Sequence, residues 1–409
     1  MTNPIAHHDV IIVGAGLSGI GAAYYMKHKS PTALDFVVLE SRDKTGGTWS
    51  FFNYPGFRND STMYTFAYPW HPWRHPESLV TGDKINAYLN EILDKFSLRQ
   101  HILLNNPVSQ CEFSSATGLW TVSTPSGPRT CRYLICASGY YSYAHPYMPD
   151  FPGRSEYKGE LYHAQEYPKG LPFKGRKVAV IGSGATAITM VPALVEGGAE
   201  HTTMIQRSPT YIVPLPAKEN FSSLLPRVLG WFAGGPHIAL RWMHLVQGYF
   251  FYFLCVFFPA MMKKTIYGWS WGSLKAFSKG GVHNPADPHF APTYNPWEQR
   301  LCVCPDFDFY KAAGNKKMDM VTGHIEKFTA DGIKVKGRDK VVEADLVVVA
   351  TGLTLLPVGG IKLALDGKPV EVSGTMLYKG FAPDGIPNCA LAVGYLNSSW
   401  TLKANLTFG

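Results

Sequence analysis

The chain has 409 residues, 46% of them hydrophobic and 17% charged, with a formal net charge of +8 and a pI near 8.9. Single hydrophobic cores usually stop growing near about 250–300 residues, so we expect two domains. The composition is that of a folded protein and excludes a long disordered tail. Because Lys and Arg are spread along the chain, the charge favours an anionic small-molecule ligand over a nucleic-acid partner.

Cysteine usage and the N-terminal residues bear on the cellular compartment. The seven cysteines are an odd number and have no CxxC spacing, so neither a disulfide framework nor a metal site is predicted. Residues 1–9 lack a basic region followed by an apolar stretch of signal length. We therefore expect a reduced, intracellular protein of the cytoplasm.

A βαβ pattern opens the chain. Residues 9–13 predict a buried parallel strand, because the run from Val10 to Val13 is continuously apolar, and they lead into a glycine turn at residues 14–19. A small-residue helix that ends near Lys29 follows, and then a second strand at residues 36–39 that ends in Glu40. About thirty residues in this order are typical of a mononucleotide-binding unit.

The glycine spacing in this first turn fits a bound pyrophosphate. Gly14 permits the tight turn, Gly16 lets the phosphate approach, and Gly19 lets the helix pack on its strand. Glu40 can accept hydrogen bonds from ribose hydroxyls and would repel a 2′-phosphate. The first site is therefore predicted to bind FAD or NAD rather than NADP. GxGxxG also occurs in ordinary glycine turns, but the flanking strand, helix and acid favour a nucleotide.

A second βαβ pattern lies far downstream. A strand at residues 177–181 precedes a predicted turn at 182–187, a helix at 188–196 and a strand at 202–206. That last strand ends in Arg207 and Ser208, and a guanidinium with a neighbouring hydroxyl can bind a 2′-phosphate by charge-assisted hydrogen bonds. NADPH is predicted here, with a plain surface arginine as the alternative. The predicted cofactor-binding residues are Gly182, Ser183, Gly184, Ala185, Thr186, Arg207 and Ser208.

These units predict an α/β fold with two nested Rossmann-type domains, each a three-layer ββα fold of the FAD–NAD(P)-binding kind. Proline and glycine cluster at residues 145–155, which marks a boundary, and residues 347–352 repeat the strand, small residue, hydroxyl and glycine of residues 134–139. Aromatic-rich helices with prolines then predict an inserted helical subdomain. The predicted ranges are 1–148 and 340–409 for an FAD domain, 149–215 and 296–339 for an NADPH domain, and 216–295 for the helical insertion.

One segment of the insertion is unusually apolar. No residue between Arg241 and Lys263 carries a fixed charge, and residues 249–258 are almost wholly aromatic or aliphatic. A membrane span needs about 20 predominantly apolar residues, and polar residues and a proline interrupt this segment. We expect a buried helix of the insertion; a helix that associates peripherally with a membrane through residues 241–263 is the alternative.

Two motifs carry a resemblance to a known superfamily. Residues 157–168 resemble the FxGxxxHxxx(Y/F/W) fingerprint of flavin-containing and Baeyer–Villiger monooxygenases, with Tyr157 in place of the usual Phe. Residues 46–60 match a pattern typical of Baeyer–Villiger monooxygenases, (A/G)GxWxxxx(F/Y)P(G/M)xxxD. The chain therefore resembles the class B flavoprotein monooxygenases. The similarity covers nearly the whole chain and is closest to a mycobacterial branch, as seen at residues 206–213, 294–297 and 399–404.

The resemblance implies a reaction and its residues. NADPH would reduce FAD, dioxygen would add at flavin C4a, and the C4a-peroxyflavin would oxygenate a small ketone or a sulfur- or nitrogen-containing substrate. Asp60 would lie beside the flavin and pair with Arg300 of the other domain, and Arg300 would stabilise the peroxyflavin and the substrate oxyanion. Thr48 and Trp49 join the predicted FAD contacts.

Plainer structural roles stay open for the same residues. Asp60 could cap a turn, Trp49 could simply pack, and Arg300 could pair with Glu298 on the surface. For His163, a structural role in holding the interdomain linker is favoured over proton transfer.

Two departures from the family pattern leave alternatives open. Tyr167 stands where Baeyer–Villiger enzymes usually carry Trp, so carbonyl insertion is less secure than oxygenation as such. The chain stops at Gly409, soon after residues 400–404, where relatives continue. The alternatives to a ketone or sulfur monooxygenase are an N-hydroxylating enzyme, an uncoupled NADPH oxidase, and a truncated paralogue that binds a nucleotide without turnover. Neither the substrate nor the oligomeric state is predicted.

Overall fold

The computed structural model describes residues 5–220, 224–278, 284, 286–393 and 407; residues 399–404, which contribute to the family resemblance, lie outside them. The helices are α1 Leu17–His28, α2 Thr48–Phe51, α3 Met63–Phe66, α4 Gly82–Lys95, α5 Ala185–Glu196, α6 Leu224–Ala233, α7 Pro236–Phe257, α8 Pro259–Phe277, α9 Ala286–His289 and α10 Asp308–Ala313. The strands are β1 Ala6–Val13, β2 Phe36–Leu39, β3 Ile102–Leu103, β4 Gln110–Ser114, β5 Leu119–Ser123, β6 Arg129–Cys136, β7 Glu160–His163, β8 Lys177–Ile181, β9 His201–Gln206, β10 Ile212–Leu215, β11 Cys302–Pro305, β12 Met318–Thr322, β13 Ile325–Thr329, β14 Gly332–Val335, β15 Val342–Glu343, β16 Leu346–Val349, β17 Lys362–Leu365, β18 Lys368–Val370, β19 Leu377–Tyr378, β20 Ala382–Pro383 and β21 Cys389–Leu391.

The larger sheet contains the first predicted nucleotide unit. Among the described residues its strand order is β18-β17-β4-β5-β6-β1-β2-β3, and β21 also pairs with β6. β1 lies between β6 and β2 and runs parallel to both. Alternate residues of β1 enter two different cores: Ile12 packs with α1 and α4, and Ile11 packs on the other face with Trp120. Burial on both faces explains why this strand is continuously apolar from Val10 to Val13.

The second sheet is entirely parallel among its described strands, in the order β12-β9-β8-β16-β7. It contains the second predicted unit, β8–α5–β9. Helix α5 begins at Ala185, whereas the sequence predicted a helix from Ile188. The earlier start arises because Gly184 has extended backbone and takes the N-cap position, and the following Ala185 favours helix. Ala185 and Thr186 therefore lie in the first helical turn.

The last domain boundary differs from the predicted one. Residues 340–349 were assigned to the FAD domain, but β15 pairs with β14, and β16 lies between β7 and β8 of the second sheet. All four residues of β16 are buried in that sheet, which is why they are so apolar. The chain thus returns to the larger sheet only after residue 350, and β17 is the first strand to rejoin it.

The inserted helices leave and re-enter the fold through one short pair of strands. β10 and β11 are parallel neighbours, and α6 to α9 lie between them in the sequence. α7 is anchored on the larger domain by Arg241, which is buried and donates from one guanidinium nitrogen to the carbonyl oxygens of Tyr64 (2.8 Å) and Ala67 (2.9 Å). The insertion therefore packs against the first domain even though it branches from the second.

The expectation of a buried helix over residues 241–263 is wrong. The buried residues of α7 are Ala239, Leu240, Arg241 and Cys255. Most of the aromatic residues between Trp242 and Phe257 are exposed to solvent. The cause is that only one side of the helix contacts the rest of the protein. No single helix in the described part of the chain is both long and apolar enough to cross a bilayer; α7 and α8 together pass that test, with a bend of 116° between them.

We predict that Arg241→Met lowers the free energy of unfolding by about 3 kcal/mol, because two buried carbonyl oxygens lose a charged donor. Urea denaturation of the purified protein measures the change. Arg132→Met is the matched control, since its side chain is 72% exposed, and we expect it to shift the free energy by less than about 0.5 kcal/mol. Equal effects of the two substitutions would contradict the anchoring role of Arg241.

Candidate active site

The first glycine turn lies at the carboxyl end of β1. Gly14 has φ +101°, and a Cβ there would lie 2.6 Å from the carbonyl oxygen of Ala137. A Cβ on Gly19 would overlap the carbonyl oxygen of Gly14, so the helix packs directly on its own turn. α1 starts at Leu17 without a side-chain cap, which leaves its first backbone N–H groups available to an anion. This cradle fits a diphosphate group.

Glu40 lies against this turn. Its side chain is buried, one carboxylate oxygen accepts from the backbone N–H of Ala15 (2.8 Å) and the other from that of Arg42 (3.0 Å). The negative charge is therefore fixed beside the cradle, where it disfavours a nucleotide that carries a 2′-phosphate.

The segment around Thr48 and Trp49 closes over the same turn. The N–H of Gly46 donates to the carbonyl oxygen of Ala15 (3.0 Å), and a Cβ on Gly16 would meet the backbone of Gly47, with its Cα at 3.5 Å. The Thr48 hydroxyl lies 3.4 Å from that of Tyr143.

Trp49 makes the contacts expected of a residue that simply packs: its ring stacks on Phe57 and meets Phe66 edge-on. Arg42 was not predicted; it donates to the carbonyl oxygens of Gly47 (3.2 Å) and Ser50 (3.1 Å) and so holds α2 in place. An arginine two residues after the strand-end acid was the available signal in the sequence.

The second glycine turn repeats this geometry. Gly182 has φ +143°, and a Cβ there would clash with the carbonyl oxygen of Ala350. A Cβ on Gly184 would meet nothing within 4 Å, so the amino end of α5 opens onto free space, again without a side-chain cap. Ser183 donates to the carbonyl oxygen of Ser208 (2.8 Å), which ties the turn to the end of β9. This cradle also fits a phosphate group.

Arg207 and Ser208 follow β9 directly and are both exposed. Ser183 lies in the turn that precedes α5, so its bond to Ser208 brings the strand end next to the cradle. Arg207 precedes Ser208 in the chain and therefore belongs to the same strand end.

Asp60 and Arg300 are brought together from distant parts of the chain. Burial raises the pKa of the Asp60 carboxyl, and the positive charge of Arg300 opposes that rise more strongly than Arg58 does. Arg300 also hydrogen-bonds the hydroxyl of Tyr140, whose pKa is raised mainly by burial. Glu298, the alternative partner of Arg300, accepts from the backbone and side-chain nitrogens of Asn295.

Comparison with known proteins places this geometry in a family. The chain is 40% identical to the FAD-containing monooxygenase EthA of Mycobacterium tuberculosis over 405 residues, which is 98% of this chain and 81% of that protein. It is 39% identical to the probable FAD-binding monooxygenase AlmA of Acinetobacter baylyi over 98% of this chain and 79% of the relative. The chain belongs to the FAD-containing monooxygenases. Membership of the class B superfamily, predicted from the motifs, is thereby confirmed.

Solved structures confirm the predicted α/β fold. The open crystal structure of cyclohexanone monooxygenase matches 98% of this chain and 86% of its own with a TM-score of 0.79 at 19% identity. Oxidized steroid monooxygenase bound to NADP matches 98% and 84% with a TM-score of 0.77 at 22% identity. A family model described as pyridine nucleotide-disulphide oxidoreductase matches residues 11–214. That range covers both glycine turns of this FAD-containing monooxygenase.

In this monooxygenase the motif loop at residues 54–60 docks on the second domain. The Tyr54 hydroxyl hydrogen-bonds the side chains of Thr186 and Thr189 in α5, and Arg58 pairs with Asp308 at the start of α10, with 2.8 Å between Nη1 and Oδ2. Burial raises the pKa of Asp308 to about 6, although Arg58 counteracts that rise. Arg58 was not singled out from the sequence; its signal was a second charged residue in the motif, two positions before Asp60.

His163 is the last residue of β7, and its side chain bonds the segment that follows β16. Both strands adjoin a segment in which the chain crosses between the domains. His163 is buried, its Nδ1 accepts from the backbone N–H of Gln165 (3.1 Å) and its Nε2 lies 3.0 Å from the carbonyl oxygen of Gly352. Desolvation lowers the pKa of the imidazole, so the neutral form that makes both bonds is favoured. Gln165 donates in turn to the carbonyl oxygens of Ser142 and Tyr143, in the other crossing. These contacts support the linker role over proton transfer.

We predict that Gly19→Ala abolishes flavin retention, because the added Cβ would push α1 away from the Gly14 turn. The ratio of flavin to protein absorbance after purification measures the loss. Gly374→Ala is the control, since a Cβ there would meet nothing within 4 Å, and it should keep the full flavin content. A Gly19→Ala protein that is as yellow as the unsubstituted protein would contradict the packing argument.

Proposed function

We propose that the protein is an NADPH- and FAD-dependent monooxygenase, with FAD on the first glycine turn and NADPH on the second. The observation that carries this proposal is the pair of matching cradles, each with an uncapped helix end. The names of the relatives support the flavin, and solved neighbours of the same fold are described as complexes with FAD and NADP. Gly14, Gly16, Gly19, Glu40, Thr48 and Trp49 hold FAD in this proposal.

The choice of NADPH rests on the end of β9. The first cradle has a buried carboxylate beside it, at Glu40, and the second has an exposed guanidinium and hydroxyl, at Arg207 and Ser208. A 2′-phosphate is repelled by the first arrangement and bound by the second. The opposite charges at equivalent positions thus support one nucleotide for each domain.

Bound FAD would supply the redox chemistry, accepting a hydride from NADPH and activating dioxygen. Arg300 contributes a fixed positive charge that stabilises an oxyanion as it develops on the substrate. Asp60 and Tyr140 act as positioning residues, because the carboxylate attracts the guanidinium and the hydroxyl hydrogen-bonds it. The contacts of the 54–60 loop with α5 and α10 keep Asp60 at the interface between the domains.

The substrate is proposed as a small ketone or a molecule with a soft sulfur centre. Tyr167, at which the sequence departs from the Baeyer–Villiger pattern, is buried in the core of the second domain with Val178 and Leu346. A residue packed in this core does not touch a substrate, so the departure is a difference in packing. It therefore removes an argument against ketones without excluding sulfur. The cation at Arg300 stabilises the oxyanion that forms when a ketone carbonyl is attacked, and a sulfur substrate forms no such oxyanion.

A reducing, cytoplasmic location is part of the proposal. All seven cysteines lie in the described part of the chain, and all are buried and free of disulfide bonds. Burial raises the pKa of several of these thiols, and that of Cys131 is raised to about 12. These cysteines therefore stay in the unreactive thiol form.

We predict that Arg300→Ala lowers the oxygenated product of a ketone by about a hundredfold or more while NADPH still bleaches the flavin without dioxygen, because only the oxyanion formed from the carbonyl loses its cation. Anaerobic flavin reduction and product yield with a test ketone and a test thioether measure the two steps. Arg300→Lys should keep part of the yield, and Arg154→Ala, which alters an exposed arginine, should keep all of it. Full product yield with Arg300→Ala would contradict the role of Arg300 in stabilising the oxyanion. Hydrogen peroxide as the sole product of the unsubstituted protein would favour an uncoupled oxidase.

We predict that Arg207→Gln raises the KM for NADPH about tenfold or more and leaves that for NADH nearly unchanged, since only the 2′-phosphate loses its partner. Steady-state oxidation of each coenzyme measures both constants. Arg338→Gln, another exposed arginine in the same domain, serves as the control. Equal KM changes for the two coenzymes would contradict the assignment of NADPH to this cradle.

A further inference from the structure

The water-facing side of α7 carries a stripe of large apolar side chains. Trp242, Val246, Tyr249, Phe253 and Phe257 follow each other at intervals of four, three, four and four residues. At 3.6 residues per turn these positions lie within about 80° of one another around the helix axis. All five side chains are between 45% and 69% exposed. We call these five residues the aromatic stripe.

The orientation of this stripe is fixed by the buried side of the helix. Leu240, Arg241 and Cys255 are buried, and Arg241 hydrogen-bonds two backbone carbonyl oxygens of the first domain. Rotating α7 to hide the stripe would bring that guanidinium out of its site and leave the carbonyl oxygens unpaired. A water-facing helix normally carries polar residues on this side, so the exposed stripe is a feature that needs a partner.

The neighbouring helices extend the apolar surface. On α6, which packs against α7, Trp231 is 87% exposed and Phe232 is 84% exposed. On α8, Met261 and Trp269 are also exposed. Trp and Tyr are the residues that concentrate at the boundary between lipid tails and headgroups, because each ring has an apolar body and a polar edge.

The central part of the insertion, between Glu219 and Asp287, carries only positive fixed charge. From Asn220 to Ala286 the sequence contains no Asp or Glu, and its cations are Arg227, Arg241, Lys263, Lys264, Lys275 and Lys279. Lys264 and Lys275 are exposed and lie on the same side of α8, eleven residues apart. This surface is therefore complementary to an anionic partner.

We propose that the aromatic stripe docks peripherally on an anionic lipid surface, with its rings at the headgroup boundary and the lysines of α8 facing lipid phosphates. A second copy of the chain is disfavoured, because a symmetric contact places the same patch on both subunits and would bring two positive insertions together. A transmembrane span is not required, since an amphipathic helix lying in the interface buries only one face.

Vesicle co-sedimentation of the purified full chain tests the proposal. We expect the protein to sediment with vesicles of phosphatidylcholine and phosphatidylglycerol, to bind pure phosphatidylcholine much more weakly, and to be released by salt. The double variant Trp242→Ser/Phe253→Ser should bind the mixed vesicles about tenfold or more weakly, because two apolar side chains no longer enter the lipid. Tyr378→Ser is the matched control, since Tyr378 is 69% exposed in β19, and it should bind like the unsubstituted protein.

A charge variant separates the electrostatic part. Lys264→Glu/Lys275→Glu should lose most of the preference for phosphatidylglycerol, whereas Lys336→Glu/Lys340→Glu, which changes two exposed lysines outside the insertion, should keep it. Unchanged flavin absorbance and melting temperature would establish that each variant is folded. NADPH oxidation should be unaffected in all of them, since none of these residues lies in the two cradles.

Three results would overturn the proposal. The first is no sedimentation of the folded protein with either vesicle, and the second is equal binding to the neutral and the anionic vesicles. The third is a dimer in gel filtration that Trp242→Ser/Phe253→Ser converts to a monomer while vesicle binding is absent, which would identify the stripe as a contact between two copies of this chain.

Discussion

Each nucleotide cradle depends on one backbone contact, in which a glycine with positive φ rests on the alanine that follows a neighbouring parallel strand. Gly14 rests in this way on Ala137 after β6, and Gly182 rests on Ala350 after β16. A side chain at either glycine would collide with a carbonyl oxygen and would require a backbone conformation that other residues rarely adopt. The same two strands lead into the segments that cross between the domains. The contact that shapes each phosphate site therefore also fixes where the chain leaves that domain.

The interface between the domains is built on those crossings. His163 bonds the segment that follows β16, and Gln165 bonds the segment that follows β6. Tyr140 lies in the segment after β6 and hydrogen-bonds Arg300. The motif loop reaches the second domain independently through Arg58 and Asp308. A change in the angle between the domains would strain both sets of contacts together. This arrangement explains how an aspartate of one domain and an arginine that follows the insertion come to share one site.

The insertion adds a surface of a different character to this frame. On α7 the buried side carries the charged Arg241, and the exposed side is aromatic. A surface helix normally has apolar residues on its buried side and polar residues on its exposed side. β10 and β11 pair at the base of the insertion. The helices between them can therefore differ in composition from the nucleotide domains without altering either cradle.

The sequence alone determined the two βαβ units, the nucleotide-binding turns and the superfamily, because these depend on residues within about thirty positions of one another and on glycines that no other residue can replace. It could not decide which sheet β16 joins, since a short, fully apolar strand fits the buried parallel strands of either sheet and only the pairing with β7 and β8 settles the matter. It also could not decide which side of α7 is buried, or that Arg58 and Tyr140 support the site, because their partners lie far away in the sequence. Burial and ion pairing are properties of surfaces that meet, so the tertiary structure alone decided them.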